Sequence, residues 1–162
     1  MRFELLFLGK TREEYLARGI DDFVVRLGRY VELKITTIKA PKPPRGGGVK
    51  NEGEEARLIR QEGRLLLSHL PEGARLVALD PGGRMPTSPE LAEILTRWEE
   101  QGSNRIAFAL GGPLGLAPEV KARADLVLSL SALTFTHEMA RLLLLEQLYR
   151  AWTIKIGSGY HK

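Results

Sequence analysis

Residues 105–136 contain two short apolar segments, each followed by a loop of small residues. RIAFAL at 105–110 is followed by GGPLGL at 111–116, and LVLSL at 126–130 is followed by SALTFT at 131–136. A short helix is predicted between them over 118–124. Strands that alternate with helices predict a parallel sheet, whose ligands bind beyond the carboxyl ends of the strands. The two loops therefore predict a small-molecule site, against the alternative that the glycines only form a tight turn.

The first loop does not match two familiar phosphate-binding patterns. GGPLGL contains no Gly-Lys-Ser/Thr to hold phosphates, and it lacks the G-x-G-x-x-G spacing of dinucleotide-binding turns. No acidic residue follows at the distance expected for a ribose contact. We therefore expect a ligand that is not held by phosphate groups.

The first part of the chain predicts a strand–helix–strand unit. RFELLFL at 2–8 is a short apolar strand, and VELKITTI at 31–38 is a strand enriched in β-branched residues. The helix between them has Thr11 as its predicted N-cap. Its predicted apolar stripe contains Tyr15, Ile20, Phe23, Val24 and Leu27.

The later elements continue the alternation of helices and strands. A helix from 51 or 52 to about 70 precedes a strand at 75–80, which the Pro-Gly-Gly at 81–83 ends. Ser88 is the predicted N-cap of the next helix, and the last helix covers about 137–151. The order of elements predicts an α/β fold with a mostly parallel sheet and helices on both faces.

Composition limits the class of protein. With 162 residues, of which 43% are hydrophobic, the chain has the size and composition of one globular domain. No apolar run approaches the roughly 20 residues that span a bilayer, and the N-terminus lacks a signal-peptide layout. The lack of cysteine excludes disulfides and zinc thiolate sites. We therefore expect a cytosolic protein, and the net charge of +4 is compatible with RNA but weak evidence alone.

Several segments leave alternatives open. KAPKPPRGGGVK at 39–50 is either a basic loop that contacts phosphates or a solvated surface loop. Asp80 is either a ligand contact or a turn-forming aspartate. The last helix is apolar on more than one side, which is typical of a helix in the core or in a subunit interface. The tail at 157–162 is flexible by composition but ends in polar groups.

Five segments together carry a resemblance to a known family. They are LDPGG at 79–83, GGPLGL at 111–116, LSLSALT at 128–134, EQLYRAW at 146–152 and the closing YHK. In this order and over nearly the whole chain, the sequence resembles the ribosomal RNA large-subunit methyltransferase H family of the SPOUT superfamily. The resemblance implies one SPOUT domain over 1–162, with a trefoil knot in roughly 75–162, an exception to the usual unknotted chain.

The resemblance also implies a cofactor, a substrate and partners. The cofactor is S-adenosylmethionine, and the substrate is a pseudouridine in the helix 69 stem-loop of 23S rRNA, methylated on N3 in the assembled ribosome. A homodimer is implied, and no metal is needed. The implied cofactor-binding residues are Leu79, Gly111, Ser131, Ala132, Leu133, Thr134, Phe135 and Thr136, the last standing where many relatives have proline.

The implied reaction assigns roles to the end of the chain. N3 of pseudouridine must lose a proton, and the candidate acceptors are His161, His137 or bulk water. The alternative for His161 is a disordered terminal residue, and for His137 a helix cap or a buried structural role is preferred to catalysis. Tyr160 is expected to stack on an exposed base. Arg150 is expected to contact RNA, against the alternative of an ion pair with Glu146 four residues earlier. The expected catalytic residues are thus His161, Arg150 and Tyr160.

Two other functions remain open from the sequence. In the first, the protein is a knotted methyltransferase of this kind that acts on another target, such as a uridine or a tRNA position. The second is a catalytically silent dimer that binds RNA or the ribosome. The GGPLGL and SALT segments favour catalysis, because a protein that only binds RNA has no need of a cofactor crevice.

Overall fold

The computed structural model describes residues 1–41 and 51–161, so residues 42–50 of the predicted basic loop lie outside the described chain. Within these described residues, five strands alternate with five helices, as the sequence predicts. The strands are β1 (Arg2–Leu8), β2 (Glu32–Ile38), β3 (Arg75–Arg84), β4 (Arg105–Leu110) and β5 (Leu126–Leu128). The helices are α1 (Glu14–Leu27), α2 (Glu52–Ser68), α3 (Ser88–Glu100), α4 (Pro118–Arg123) and α5 (His137–Lys155), and a final 3-10 helix covers Gly159–His161.

The five strands form one sheet in the order β2-β1-β4-β3-β5, and every pairing is parallel. The predicted parallel α/β fold is therefore confirmed. In the register, Phe3 lies beside Ile106 and Val77 lies beside Phe108. Because all strands run the same way, the loops that follow them lie at one edge of the sheet. This edge brings the loops after β3, β4 and β5 together.

Helices cover both faces of the sheet, because alternate strand residues point to opposite sides. The first face is covered by α1, α3 and α5, and the second by α2 and α4. Phe3 and Phe108 meet edge to face on the first face, with ring centroids 5.4 Å apart. Ala107 and Ala109, from the same strand as Phe108, face the second. Leu66 of α2 and Val120 of α4 belong to the same hydrophobic cluster.

Two predicted helix caps are wrong by a short distance along the chain. Helix α1 begins at Glu14 rather than after Thr11, and α3 is capped by Thr87 rather than by Ser88. Thr87 and Glu90 form a capping box, in which each side chain binds the other residue's backbone N–H. Ser88 instead donates its hydroxyl hydrogen bond to Gln147 of α5, 2.7 Å away. The predicted stripe of α1 also fails at Tyr15, which is 63% exposed.

The bounds of three further elements also differ from the prediction. β3 continues through the Pro-Gly-Gly that was predicted to end it, with an irregular register between Leu79 and Arg84. A Cβ atom on Gly83 would lie 2.6 Å from the carbonyl oxygen of Val127, so only glycine allows this close approach to β5. β5 ends at Leu128, before its predicted end. The last helix is one turn longer than predicted and ends at Lys155.

Helix α5 lies in the core and packs against α1 and α3. Its leucines 144, 145 and 148 are fully buried, in agreement with the predicted buried helix. Arg141 is also buried, with 1% exposure, and it donates hydrogen bonds to the backbone carbonyl of Leu8 and the hydroxyl of Thr11. No helix among residues 1–41 and 51–161 has the length and apolar character that crossing a membrane requires.

Candidate active site

A cavity of about 350 Å³ lies at the carboxyl ends of β3, β4 and β5 and at the start of α5. This volume is within the range of small-molecule sites. It is lined by seven of the eight residues that the sequence predicts to bind a cofactor. These seven are Leu79, Gly111, Ser131, Leu133, Thr134, Phe135 and Thr136. The eighth, Ala132, lies exposed in the same loop but does not line the cavity.

The loop after β4 is closed on itself by its glycines. Gly115 donates a backbone hydrogen bond of 3.0 Å to Gly112, and its φ of +86° is one that glycine adopts readily. A Cβ on Gly111 would lie 2.5 Å from the carbonyl oxygen of Gly115. The loop therefore needs glycine at both positions, and its compact turn leaves backbone atoms on the cavity wall.

The loop after β5 is held by its serines and closed by the start of α5. Ser131 accepts a hydrogen bond from the backbone N–H of Leu133 at 2.9 Å, and its own carbonyl accepts one from the hydroxyl of Ser129. Thr136 caps α5 by accepting from the backbone N–H of Met139 at 3.2 Å. Leu133 is 73% exposed although it lines the cavity. The loop thus presents apolar surface at the cavity mouth.

Asp80 and Lys121 form an ion pair at the wall of the cavity. Asp80 lines the cavity, and its carboxylate lies 3.0 Å from the ammonium of Lys121. The same carboxylate accepts from the backbone N–H of Gly82, so Asp80 also has the turn-forming role that the sequence left open. Burial acts to raise the pKa of Asp80, but the hydrogen bonds from Lys121 and Gly82 outweigh it and hold the pKa below its ordinary value. Asp80 is therefore an ionised and paired carboxylate.

His137 is the histidine that lines the cavity. Burial lowers its pKa below the ordinary value, and the nearby positive charge of Arg141 lowers it further. The imidazole is therefore neutral at neutral pH and has a nitrogen available to accept a proton. Among the candidate acceptors from the sequence, His137 is the one that the fold brings to the cavity.

The residues that were expected to be catalytic lie at the far end of α5. Ala140 lines the cavity, and Arg150 follows it by ten residues, which corresponds to about 15 Å along a helix. Tyr160 and His161 belong to the 3-10 helix, which packs against α5. The structure thus brings Arg150 and Tyr160 together but does not bring them to the cavity of the same chain.

Arg150, Tyr160 and Glu146 form a cluster that we call the tail cluster. Arg150 makes an ion pair with Glu146, so the alternative interaction considered from the sequence is present. The Tyr160 hydroxyl donates a hydrogen bond of 3.3 Å to the same carboxylate. Burial and then the charge of Glu146 raise the pKa of Tyr160, so its hydroxyl remains protonated at neutral pH. Tyr160 is thus a hydrogen-bond donor rather than a proton acceptor.

Some site residues lack a sequence signal of their own. Leu110, Leu128 and Ala140 line the cavity, but as strand-end or helix residues they resemble ordinary core positions in the sequence. Besides the paired Asp80, the cavity is lined by apolar, hydroxyl and glycine residues and by His137. Such a wall suits an uncharged ring that is held by backbone groups and apolar contact.

Comparison with known proteins shows the family to which the chain belongs. The family described as "Predicted SPOUT methyltransferase" matches residues 1–161. The chain is therefore a member of the SPOUT class of methyltransferases.

Curated relatives identify the group within that class. The chain is 44% identical over 162 residues to Ribosomal RNA large subunit methyltransferase H of Desulfotalea psychrophila, with all of both chains covered. It is 42% identical over 161 residues to the protein of that name from Geotalea daltonii, with 99% of both chains covered, and 40% identical over the full length to that from Clostridium novyi. The chain belongs to the ribosomal RNA large subunit methyltransferase H family.

Proposed function

We propose that this methyltransferase uses S-adenosylmethionine to methylate N3 of a pseudouridine in 23S rRNA. The observation that carries the proposal is the cavity at the ends of β3, β4 and β5, because its walls are the loops that the family resemblance implies for the cofactor. The names of the relatives support a large-subunit rRNA target. The helix 69 stem-loop of the assembled ribosome is the target that the sequence resemblance implies.

The cavity residues act by holding and orienting the cofactor. Leu79, Gly111 and the loop at 131–136, including Ala132, offer backbone groups and apolar surface to an adenosyl group. When bound, the cofactor supplies a methyl group already activated on a sulfonium, so no metal ion is needed. The main task of the chain is therefore to align the methyl group with the acceptor nitrogen.

The acceptor nitrogen must lose its proton before or during the transfer. His137 lies at the cavity as a neutral imidazole, which suits it to accept a proton, whereas His161 is exposed in the 3-10 helix. His161, His137 and water all remain candidates. A His137→Gln variant that kept donor affinity but lost methyl transfer would favour His137, and unchanged transfer would exclude it.

The distance between the cavity and the tail cluster supports a homodimer. Arg150 lies about 15 Å from the cavity along α5, too far to act there in the same chain. We propose that one protomer holds the cofactor while the tail of its partner, with Arg150, Tyr160 and His161, holds the RNA. A trefoil knot within roughly 75–162 and a cytosolic location are part of the same proposal.

Mixed dimers test this arrangement directly. Gly111→Val subunits are expected to lose the cofactor site, and Arg150→Ala subunits to lose the RNA contact. Random mixing makes about half of the dimers mixed, each with one intact composite site, so about one quarter of the wild-type activity is expected to return. No recovery would show that the cavity and the tail act within one chain.

Methyl transfer from labelled S-adenosylmethionine tests the reaction and its target. Ribosomes that lack the modification, free 23S rRNA and tRNA are offered side by side, and the modified nucleotide is mapped by mass spectrometry. Incorporation into one pseudouridine of the assembled ribosome is expected. Incorporation into tRNA or into a uridine would establish a different target. A protein that fails to bind the cofactor would instead favour the catalytically silent RNA-binding dimer.

A further inference from the structure

Glu62 is a buried carboxyl group that the site described above does not use. It lies on α2 and is 6% exposed. Its Oε2 atom has no hydrogen-bond partner within the part of the chain that the structure describes. A buried carboxylate without a partner carries a large desolvation cost. Such a group therefore calls for a proton or for a nearby positive charge.

Glycines bring this carboxyl group to the back of the cavity wall. A Cβ atom on Gly112 would lie 3.1 Å from Oε1 and 3.2 Å from Oε2 of Glu62. Gly112 itself lines the cavity, so the carboxyl group lies directly behind its backbone. Beside Glu62 on α2, a Cβ on Gly63 would lie only 2.4 Å from that of Ala117. Side chains at these two positions would push the carboxyl group and its helix away from the cavity.

The two forms of the proposed cofactor differ in charge at one atom. The methyl donor carries a positive sulfonium, and the demethylated product has a neutral thioether at the same place. We propose that Glu62 is a specificity-determining residue that acts as counter-charge to the methyl donor and favours its binding over that of the product. This inference rests on the proposed function.

The other acidic residue at the cavity does not fill this role. Asp80 already pairs with Lys121 at 3.0 Å, so its charge is largely compensated. Burial raises the pKa of Glu62, which means that its ionised form is unfavourable until a cation is close. Electrostatic attraction acts without direct contact and weakens with distance and with exposure to water. Because the carboxyl group lies behind a glycine of the cavity wall, its charge acts on a cation in the cavity but not on a neutral ligand.

The test measures equilibrium binding of S-adenosylmethionine and S-adenosylhomocysteine to the purified full-length protein by calorimetry. The ratio of the two affinities is compared between wild type, Glu62→Gln and Glu62→Asp. We expect Glu62→Gln to lower the preference for the donor about tenfold, which corresponds to a modest electrostatic interaction. Glu62→Asp keeps the charge and is expected to retain most of the preference. Glu55→Gln, an exposed position on the same helix, is the matched control and should leave the ratio unchanged.

A purely structural role for Glu62 gives a different result. Loss of packing would weaken both ligands equally, and an unchanged ratio in a folded Glu62→Gln protein would overturn the inference while leaving the proposed function intact. If Glu62→Gln fails to fold, the affinities of the wild type for the two ligands test the inference. A clear preference for the donor supports it, and equal affinities overturn it. A wild type that binds neither ligand overturns the proposed function and this inference together.

Discussion

The guanidinium carbon of Arg150 lies 4.8 Å from the centre of the Tyr160 ring. Both side chains also bind Oε1 of Glu146, and the ring of Tyr149 packs edge to face against Tyr160 at 4.8 Å. These contacts fasten the end of the chain to α5. The tail, which its glycines predict to be flexible, therefore presents Arg150 and Tyr160 as one ordered surface.

Replacing Arg150 by alanine is expected to separate RNA recognition from cofactor binding. A lost contact to a phosphate or base costs about 1–3 kcal/mol, so methylation of ribosomes should fall about tenfold or more. Donor affinity should change little, because Arg150 is far from the cavity of its own chain and contacts RNA rather than the cofactor in the proposed dimer. Arg18→Ala is the control, since Arg18 pairs with Glu14 four residues earlier in the same way. Equal loss of methylation and donor affinity would instead indicate a structural role.

Adding a side chain at Gly111 is expected to disrupt the loop after β4. The Cβ of Gly111→Ala would meet the backbone carbonyl of Gly115 rather than open space, so the loop must move. We expect donor affinity to fall at least about tenfold with the fold retained, as read by calorimetry and thermal unfolding. Gly53→Ala, on an exposed turn of α2, should leave affinity unchanged. Normal affinity in Gly111→Ala would exclude the loop from the cofactor site.

Arg141 is expected to be a major determinant of stability. Arg141→Met removes the donors that satisfy the carbonyl of Leu8 and the hydroxyl of Thr11. Leaving a buried acceptor unpaired costs about 1–3 kcal/mol, and the free energy of unfolding in urea should fall by this amount. The exposed Arg97→Met on α3 should have an effect close to zero. Similar values for the two variants would contradict the role of Arg141.

Glu138 is expected to make stability depend on pH in the acid range. Burial acts to raise its pKa, but hydrogen bonds from the backbone N–H groups of Glu13 and Arg12 outweigh burial and hold the pKa below the ordinary value of 4.5. A lowered carboxyl pKa stabilises the fold above pH 4.5, and this contribution is lost as the pH falls through the folded-state pKa.

The substitution Glu138→Gln tests this pH dependence. At pH 7 the variant should lose about 2 kcal/mol of unfolding free energy, the scale of hydrogen bonds to a charged group. The difference from wild type should shrink as the pH is lowered below 4.5, as measured by urea unfolding at several pH values. A difference that stays constant with pH would show that the charge of Glu138 is not involved.

The sequence predicts the elements well where local patterns decide them. The bounds of β1 and β4 agree with the structure because their apolar runs are short and end at glycine or a polar residue. The caps of α1 and α3 are less predictable. Thr87 and Ser88 are both good caps, and only the position of Gln147 on α5 explains why Ser88 binds elsewhere. The backbone N–H groups of Arg12 and Glu13, just before α1, bond to Glu138, more than a hundred residues away.

The candidate site likewise has a part that the sequence predicts and a part that it does not. Its loops at 111–116 and 131–136 are visible as small residues after apolar strands, and the structure brings them to one cavity. Glu62 carries no such signal, because a glutamate on a helix is usually exposed. Gly112, which lies in another segment, meets the Glu62 carboxyl group only after folding, and the neighbouring Gly63 lets α2 approach Ala117 closely.

By itself, the sequence determined the order of strands and helices, the loops of the site and the family. These follow from local periodicity, from the backbone freedom of glycine and from short motifs that can be recognised without knowledge of tertiary contacts. Only the tertiary structure decided that β4 lies between β1 and β3, that Arg141 is buried, and that the tail cluster lies apart from the cavity. The physical reason is that these features arise from contacts between residues far apart in the chain, whose partners no local pattern specifies.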